Sequence, residues 1–485
     1  MENPALDRLK NGWILDISIE ELQYKMQSGE VSSKDLVLMY LDRIAEFDQE
    51  LKSIIEINPD ALYSAAALDF ERRTKGSRGP LHGIPLLLKD NIDTGDKMHT
   101  SAGSLALAES YAKEDAFVVK KLRKAGAVIL GKTNMTEWAN FMAENMPSGY
   151  SSRGGQVLNP YGVEFEAGGS SSGSAVAVAA NFAAASIGTE TSGSILSPAN
   201  QNAVVGIKPT VGLISRTGII PISHTQDTAG PIARTVADAA LILGAMQGVD
   251  EKDPVTSSNE LLEIDFMEHL KADGLKGKRI GIARSLFMKH LSESQRQVME
   301  GAVKRLSELG AEVVEDVRIP SANKEWKSKV LLYEFKSGVN AYLRTTDPEI
   351  GIRSLSDVIS FNERLGEQTL KYGQKVLIDS QDTSGNLTEA EYLKCLEKDQ
   401  YFSREHGIDS VMEEHQLDAI VSSSHFGSGI PAKAGYPSIN VPAGFTGDGE
   451  PVGITFTGKA FSEPVLIELA YAFEQGTRHR KPPLL

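Results

Sequence analysis

Gly83-Ile-Pro-Leu-Leu-Leu-Lys89-Asp90-Asn91 is a short apolar run, opened by glycine and proline and closed by charged and polar residues. Its length and its boundaries predict a buried β-strand rather than a helix. The same texture recurs in AVIL at 127–130, VVGI at 204–207, IGI at 280–282, AIVS at 419–422, INV at 439–441 and ITF at 454–456. Helical stretches lie between these runs. Buried strands alternating with helices predict an α/β fold, with a large mixed, mostly parallel sheet covered by helices on both faces.

Upstream of this texture the pattern is helical. Ser32-Ser33-Lys34-Asp35 reads as a helix start, and Leu36, Tyr40, Ile44, Phe47 and Leu51 follow at helical spacing. Residues 1–61 are therefore expected to form an N-terminal helical segment, and 62–485 the main α/β domain. Within it, 250–277 is charged and irregular, as a linker or excursion is, and 325–402 reads as a polar helical elaboration. No internal repeat is present.

Composition bounds the function. The chain has 485 residues, 41% hydrophobic and 24% charged, which is ordinary for a globular protein. Lys plus Arg number 50 against 65 for Asp plus Glu, and the net charge of −15 does not invite nucleic acid. The basic run at 478–481 reads as a solvated chain end. Cys395 is the single cysteine, so internal disulfides and multi-cysteine metal sites are excluded. The N-terminus lacks an apolar stretch of signal-peptide type. The Ala-rich run at 175–187 is interrupted by Asn181 and is too short to span a bilayer. These features lead to the expectation of a soluble cytoplasmic protein with no membrane association, in which the sequon at Asn386 has no meaning.

Two motif matches fail on context. Gly126-Ala-Val-Ile-Leu-Gly131-Lys132-Thr133 fits a P-loop pattern, but its four intervening residues are themselves the expected strand and cannot also cradle phosphate. Lys132 is accordingly read as structural. Gly169-Ser170-Ser171-Ser172-Gly173 fits the nucleophile-elbow pattern, which needs a strong strand before it and a partner histidine later. The residues at 163–167 make a weak strand at best, and the histidines stand in no distinctive context.

Three segments carry chemistry when taken together. Lys89 ends an apolar run; alone it reads as a lysine with its head in water, but a desolvated ammonium loses its proton more easily and can serve as a base. Gly168-Gly169-Ser170-Ser171-Ser172-Gly173-Ser174 precedes an Ala-rich helix that its serines could simply cap. Gly188-Thr189-Glu190-Thr191-Ser192-Gly193-Ser194-Ile195-Leu196-Ser197-Pro198-Ala199 is a small-residue turn leading into a short helix. Consecutive N–H groups in such a turn can converge on one oxyanion.

These three segments, with the serines at 170 and 194 spaced 194 − 170 = 24 residues apart, resemble the amidase signature family. The resemblance continues through Val205-Gly-Ile-Lys208-Pro-Thr210, Gln226-Asp227-Thr-Ala-Gly230-Pro231 and the segments at 437–443 and 451–458, and so covers most of the chain. It implies the amidase signature fold and a Ser-cisSer-Lys triad that hydrolyses a carboxamide through an acyl-enzyme, with neither metal nor cofactor. Ser194 would be the nucleophile, Ser170 the relay and Lys89 the base. The oxyanion hole would be the backbone N–H groups of Thr191, Ser192, Gly193 and Ser194, with Ser171 in support. A weak serine nucleophile needs such a base, and an amide needs the same proton returned to its leaving nitrogen.

The loop departs from the family's commoner form. Glu190, Ser192 and Leu196 stand where many members carry Asp, Gly and Arg. In this respect it is most similar to bacterial peptide amidases, which act on the C-terminal amides of peptides. The alternative is the glutamine-hydrolysing subunit of a tRNA-dependent amidotransferase, the one reading that requires partner subunits. Met135, Trp138, Phe141 and the region of Tyr436 are candidates for a substrate pocket, or else core.

Overall fold

The computed structural model describes residues 3–262 and 264–485. Among them thirteen strands occur: β1 Ile54–Ile57, β2 Pro85–Lys89, β3 Val128–Thr133, β4 Tyr150–Ser151, β5 Gly155–Gln156, β6 Ala185–Glu190, β7 Val205–Lys208, β8 Thr228–Ala233, β9 Arg279–Ile282, β10 Glu312–Glu315, β11 Ala419–Ser423, β12 Ser438–Phe445 and β13 Pro451–Thr457. Eleven form one sheet in the order β1-β3-β2-β6-β8-β7-β12-β13-β11-β9-β10, while β4 and β5 make a separate pair. The seven apolar runs coincide with β2, β3, β7, β9, β11, β12 and β13.

The sheet is mixed, but it is not mostly parallel. Parallel pairing joins β2 to β3 and β6, and β9 to β10 and β11. The other six neighbouring pairs, β1/β3, β6/β8, β7/β8, β7/β12, β12/β13 and β11/β13, are antiparallel. An antiparallel centre thus lies between two parallel blocks. The reason lies in the connections, because a parallel crossover needs a dozen or more residues and 446–450 between β12 and β13 allow only a hairpin.

Every residue of β2, β3, β6, β7, β8, β11 and β13 is buried. Neighbouring side chains on a strand point to opposite faces, so both faces of this part of the sheet are covered. Crowding is extreme at Gly230 in β8. A Cβ there would stand 2.0 Å from the carbonyl oxygen of Ile207 on the adjacent β7.

Helix Ser33–Leu51 starts where the sequence predicts. The Ser32 hydroxyl accepts the Asp35 N–H at 3.1 Å while the Asp35 carboxylate accepts the Ser32 N–H at 2.9 Å, two otherwise unpaired donors satisfied reciprocally. Leu36, Tyr40, Ile44 and Leu51 then face the main core, and β1 follows at the sheet edge. The Ala-rich run divides into helix Ser172–Ala179 and strand β6. No helix of the described residues is long and apolar enough to cross a membrane.

The described part of 250–277 is irregular, with short 3-10 turns, yet Phe266 and Leu275 are buried in the main core. Downstream, helices Lys329–Leu343, Leu355–Leu365, Lys375–Asp382 and Ala390–Ser403 form a lateral layer. Phe335, Leu343 and Val358 of this layer pack with Met135, Trp138 and Ile222 in a second apolar cluster. That contact seats the layer against the loops after β3 and before β8.

Candidate active site

Strands β2 and β6 are parallel neighbours, so their C-terminal ends open on the same side of the sheet. Lys89 ends the first and Glu190 the second. Helix Ser172–Ala179 packs on β2, β3 and β6 and brings the serine cluster at its N-terminus to the same edge.

Lys89 has no exposed surface. Its Nζ donates to Ser170 Oγ at 2.7 Å, Thr189 Oγ1 at 3.0 Å and the Thr189 carbonyl at 3.1 Å. Burial pushes its pKa down to about 7, against the pull of the Glu190 and Asp227 carboxylates, which favour the charged form. The Gly169–Ser170 peptide bond is cis. Ser171 is bound on two sides: its hydroxyl donates to the Thr189 carbonyl at 3.1 Å, and its N–H donates to the Ser194 carbonyl at 3.1 Å. Lys89, Ser170, Ser171 and the backbone of Ser194 are thus one connected cluster. Ser194 is 7% exposed, and Ser192 beside it faces solvent.

The turn after β6 is built around the Glu190 carboxylate. Its Oε1 accepts the Gly193 N–H at 2.6 Å, and its Oε2 accepts the N–H groups of Ile195 at 2.7 Å and Leu196 at 3.0 Å. Gly193 adopts φ 81°, a left-handed conformation that favours glycine, and so lets the chain double back. Of the four N–H groups expected to form the oxyanion hole, that of Gly193 is engaged by its own loop in this structure. Among the described residues, the N–H groups of Thr191, Ser192 and Ser194 carry no hydrogen bond to the chain.

A second carboxylate holds the front of the turn. Asp227 accepts the Thr191 hydroxyl at 2.5 Å and the N–H groups of Ile222 and Ser223 at 2.8 Å each. Burial raises its pKa to about 6 against these donors. Behind the turn, the buried Lys208 donates to the carbonyls of Tyr436 at 2.7 Å and Pro209 at 3.1 Å. Burial lowers its pKa to about 8 while Glu190 and Glu463 oppose the shift. Glu190 therefore serves as counter-charge to two buried amines as well as anchor of the turn.

A cavity of about 240 Å³ opens beside the loop, lined in part by Asn91, Ala139, Thr189, Thr191, Ile222 and Tyr342. It reaches the lysine through Thr189, whose hydroxyl also accepts from Asn91 Nδ2 at 3.0 Å. Met135, Trp138 and Tyr436 do not line it and lie in packed apolar clusters. Their large apolar side chains fill the contact with the helical layer and the body instead of a pocket wall.

The rejected motifs behave as read. Lys132 stands on β3, with Nζ donating to the Ile92 and His99 carbonyls and the Thr100 hydroxyl at 2.8–3.0 Å. The Gly-x-Ser-x-Gly match runs into helix Ser172–Ala179 with none of the described strands directly before it. Sequence reading missed the parts played by Thr189, Asn91 and Asp227. Each lies inside a quoted motif, so the signal was position within the motif rather than residue type.

Comparisons with known proteins show the family of the chain. A family model described as Amidase matches residues 35–467. A probable amidase of Arabidopsis thaliana is 46% identical over 482 residues, covering 97% of this chain and 92% of that protein. The crystal structure of a peptide amidase from Stenotrophomonas maltophilia superposes with a TM-score of 0.92 at 47% identity, covering 97% of this chain and 99% of that one. A glutamyl-tRNA(Gln) amidotransferase subunit of Moorella thermoacetica is 32% identical, covering 97% of this chain and 98% of that protein.

Proposed function

The chain belongs to the amidase family, hydrolases that act on amides, and we propose that it cleaves C-terminal peptide amides through an acyl-enzyme on Ser194. The observation that carries the catalytic part is the 2.7 Å contact between Lys89 Nζ and Ser170 Oγ at a lysine with no exposed surface. A neutral amine keeps two N–H donors and one lone pair. In the neutral form the Thr189 carbonyl and hydroxyl take the two donors, and the contact that the ammonium donates to Ser170 Oγ becomes one that the lone pair accepts from it. With a pKa of about 7, Lys89 is neutral in much of the population at neutral pH.

In this reading the Ser194 hydroxyl attacks the amide carbon as its proton passes to Ser170 Oγ, and the Ser170 proton passes to Lys89. Collapse of the tetrahedral intermediate breaks the C–N bond. The same relay run backwards gives the nitrogen its proton, so ammonia leaves rather than an amide anion. Water, deprotonated by the relay, then releases the carboxylic acid and restores Ser194. The developing oxyanion is met by the N–H groups of Thr191, Ser192 and Ser194, in a turn whose shape is fixed before substrate arrives.

The peptide-amide part draws on the likeness to the Stenotrophomonas maltophilia peptide amidase and on the Glu190, Ser192, Leu196 form of the loop. The test is direct. A serine-reactive phosphonate should add to Ser194 by mass spectrometry, and C-terminally amidated peptides should be deamidated in preference to simple aliphatic or aryl amides. A Ser194→Ala variant with full turnover would end the catalytic reading, and preference for simple amides would end the substrate reading. The likeness to the Moorella thermoacetica amidotransferase component supports a second reading, glutamine hydrolysis within a complex. It predicts glutamine turnover that depends on a co-purifying partner.

A further inference from the structure

Glu334 lies on helix Lys329–Leu343 in the lateral layer, and is 1% exposed. A carboxylate so buried is stable only when donors surround it, and these donors come from two directions. Its Oε1 accepts the Tyr392 hydroxyl at 2.7 Å from a second helix of the layer. Its Oε2 accepts the Ser223 hydroxyl, the Thr225 hydroxyl at 3.0 Å and the Thr225 N–H at 3.3 Å. Half-exposed His224 approaches the same carboxylate at 3.5 Å.

Residues 223–225 belong to the tight turn that ends at Asp227. The Asp227 N–H donates back to the Ser223 carbonyl at 2.8 Å, and the Asp227 carboxylate closes the turn on the Ile222 and Ser223 N–H groups. The other Asp227 oxygen is the one that takes the Thr191 hydroxyl. A continuous polar path therefore runs from the lateral layer to the first N–H of the nucleophile turn.

We propose that Glu334 is a positioning residue for catalysis, fixing Thr191 through the 223–227 turn and Asp227. It touches no reacting atom. It clamps the turn from outside, so that Asp227 meets Thr191 in one geometry. The helical layer would then help to lower the barrier for amide cleavage as well as form part of the cavity wall. The inference rests on the reading of Thr191 as an oxyanion donor.

The experiment is a double-mutant cycle read in kcat and KM on an amidated peptide, with Glu334→Gln and Thr191→Val made singly and together. Each single change should lower kcat by about tenfold with KM little altered, as expected when a charge-assisted hydrogen bond stops aligning a transition-state donor. The double variant should be no slower than the slower single. Thr191→Ser, which keeps the hydroxyl, should restore most of the rate. Losses that multiply, or a Glu334→Gln enzyme with unchanged kcat, would overturn the proposal. If Glu334→Gln does not fold, Tyr392→Phe paired with Thr191→Val runs the same cycle under the same criteria. Ser194→Ala separates the two levels. Turnover retained there removes the catalytic reading itself, whereas an inert Ser194→Ala alongside multiplying losses removes only the role of Glu334.

Discussion

Glu190 reaches back over its own turn, its Oε1 accepting the N–H of Gly193 at 2.6 Å, one residue before Ser194. The carboxylate also takes the N–H groups of Ile195 and Leu196 and passes over that of Ser194. In this chain the Glu190 carboxylate holds the back of the loop, as Asp227 holds its front through Thr191.

Glu190→Ala leaves three buried N–H groups without an acceptor, at about 1–3 kcal/mol for each that finds none. Urea unfolding should show destabilisation of at least about 2 kcal/mol, and kcat should fall by more than tenfold. Glu190→Gln keeps an acceptor oxygen but sets an NH₂ against backbone donors, and should lose more in kcat than in stability. Unchanged kcat in both variants would show that the loop holds its shape without the carboxylate.

The pH dependence follows from Lys89. In the proposed relay the Lys89 ammonium cannot accept a proton, so kcat/KM should rise with pH through about 7 and level off above. Glu190 favours the charged lysine, so Glu190→Gln should move this midpoint to lower pH. A flat profile from pH 5 to 9 in the parent enzyme would exclude an amine base of this pKa.

The same lysine makes a prediction about stability. Folding lowers its pKa from an ordinary amine's 10.5 to about 7, so between those values the unfolded chain binds the extra proton. Stability from this group therefore increases as pH rises from about 7 towards 10.5, and the cost of burying the amine is fully present below 7. The Thr189 acceptors retain Asn91 and Ser171 as partners when Lys89 is removed. Lys89→Met should accordingly be inert yet melt no lower than the parent at pH 6. A lower melting point at pH 6 would mean that its hydrogen bonds outweigh its desolvation.

On the proposed mechanism Ser170→Ala interrupts the relay but spares the nucleophile and the loop. Its kcat should fall by about 10²–10⁴, the usual worth of positioned proton transfer, while phosphonate labelling of Ser194 slows in parallel. Ser171→Ala should lose much less, since its N–H bond to Ser194 survives.

Gly230→Ala tests the fold rather than the site. Its Cβ would enter the Ile207 carbonyl at 2.0 Å between two central strands. Overpacking of this kind costs about 1–3 kcal/mol, and more when backbone must move. Denaturation at or above the parent midpoint would mean that β7 and β8 separate more easily than their burial suggests.

The sequence carried the apolar strands well because their signal is local. Four sheet strands escaped it for separate reasons. In β6, ASIGTE lies at the end of an Ala-rich run that reads as helix, and β8 contains Gly230-Pro231, residues that argue against a central strand. The edge strands β1 and β10 are short and partly exposed, without a buried apolar run. Strand direction was illegible, since alternation with helices says nothing about hairpins such as β12–β13. At the site, Lys89, Ser170 and Ser194 stood out because familiar motifs surround them. Asp227 and Glu334 did not, because their meaning depends on contacts 36 and 111 residues away in the chain.

Lysines such as Lys97 and Lys252 project from the surface, whereas Lys89 presents none of its own. An uncharged amine at neutral pH would otherwise be prey to acetyl donors, aldehydes and amine-directed reagents. Enclosed as it is, Lys89 is chemically sheltered, and on the proposed mechanism an agent seeking to silence the enzyme would meet the Ser194 hydroxyl first.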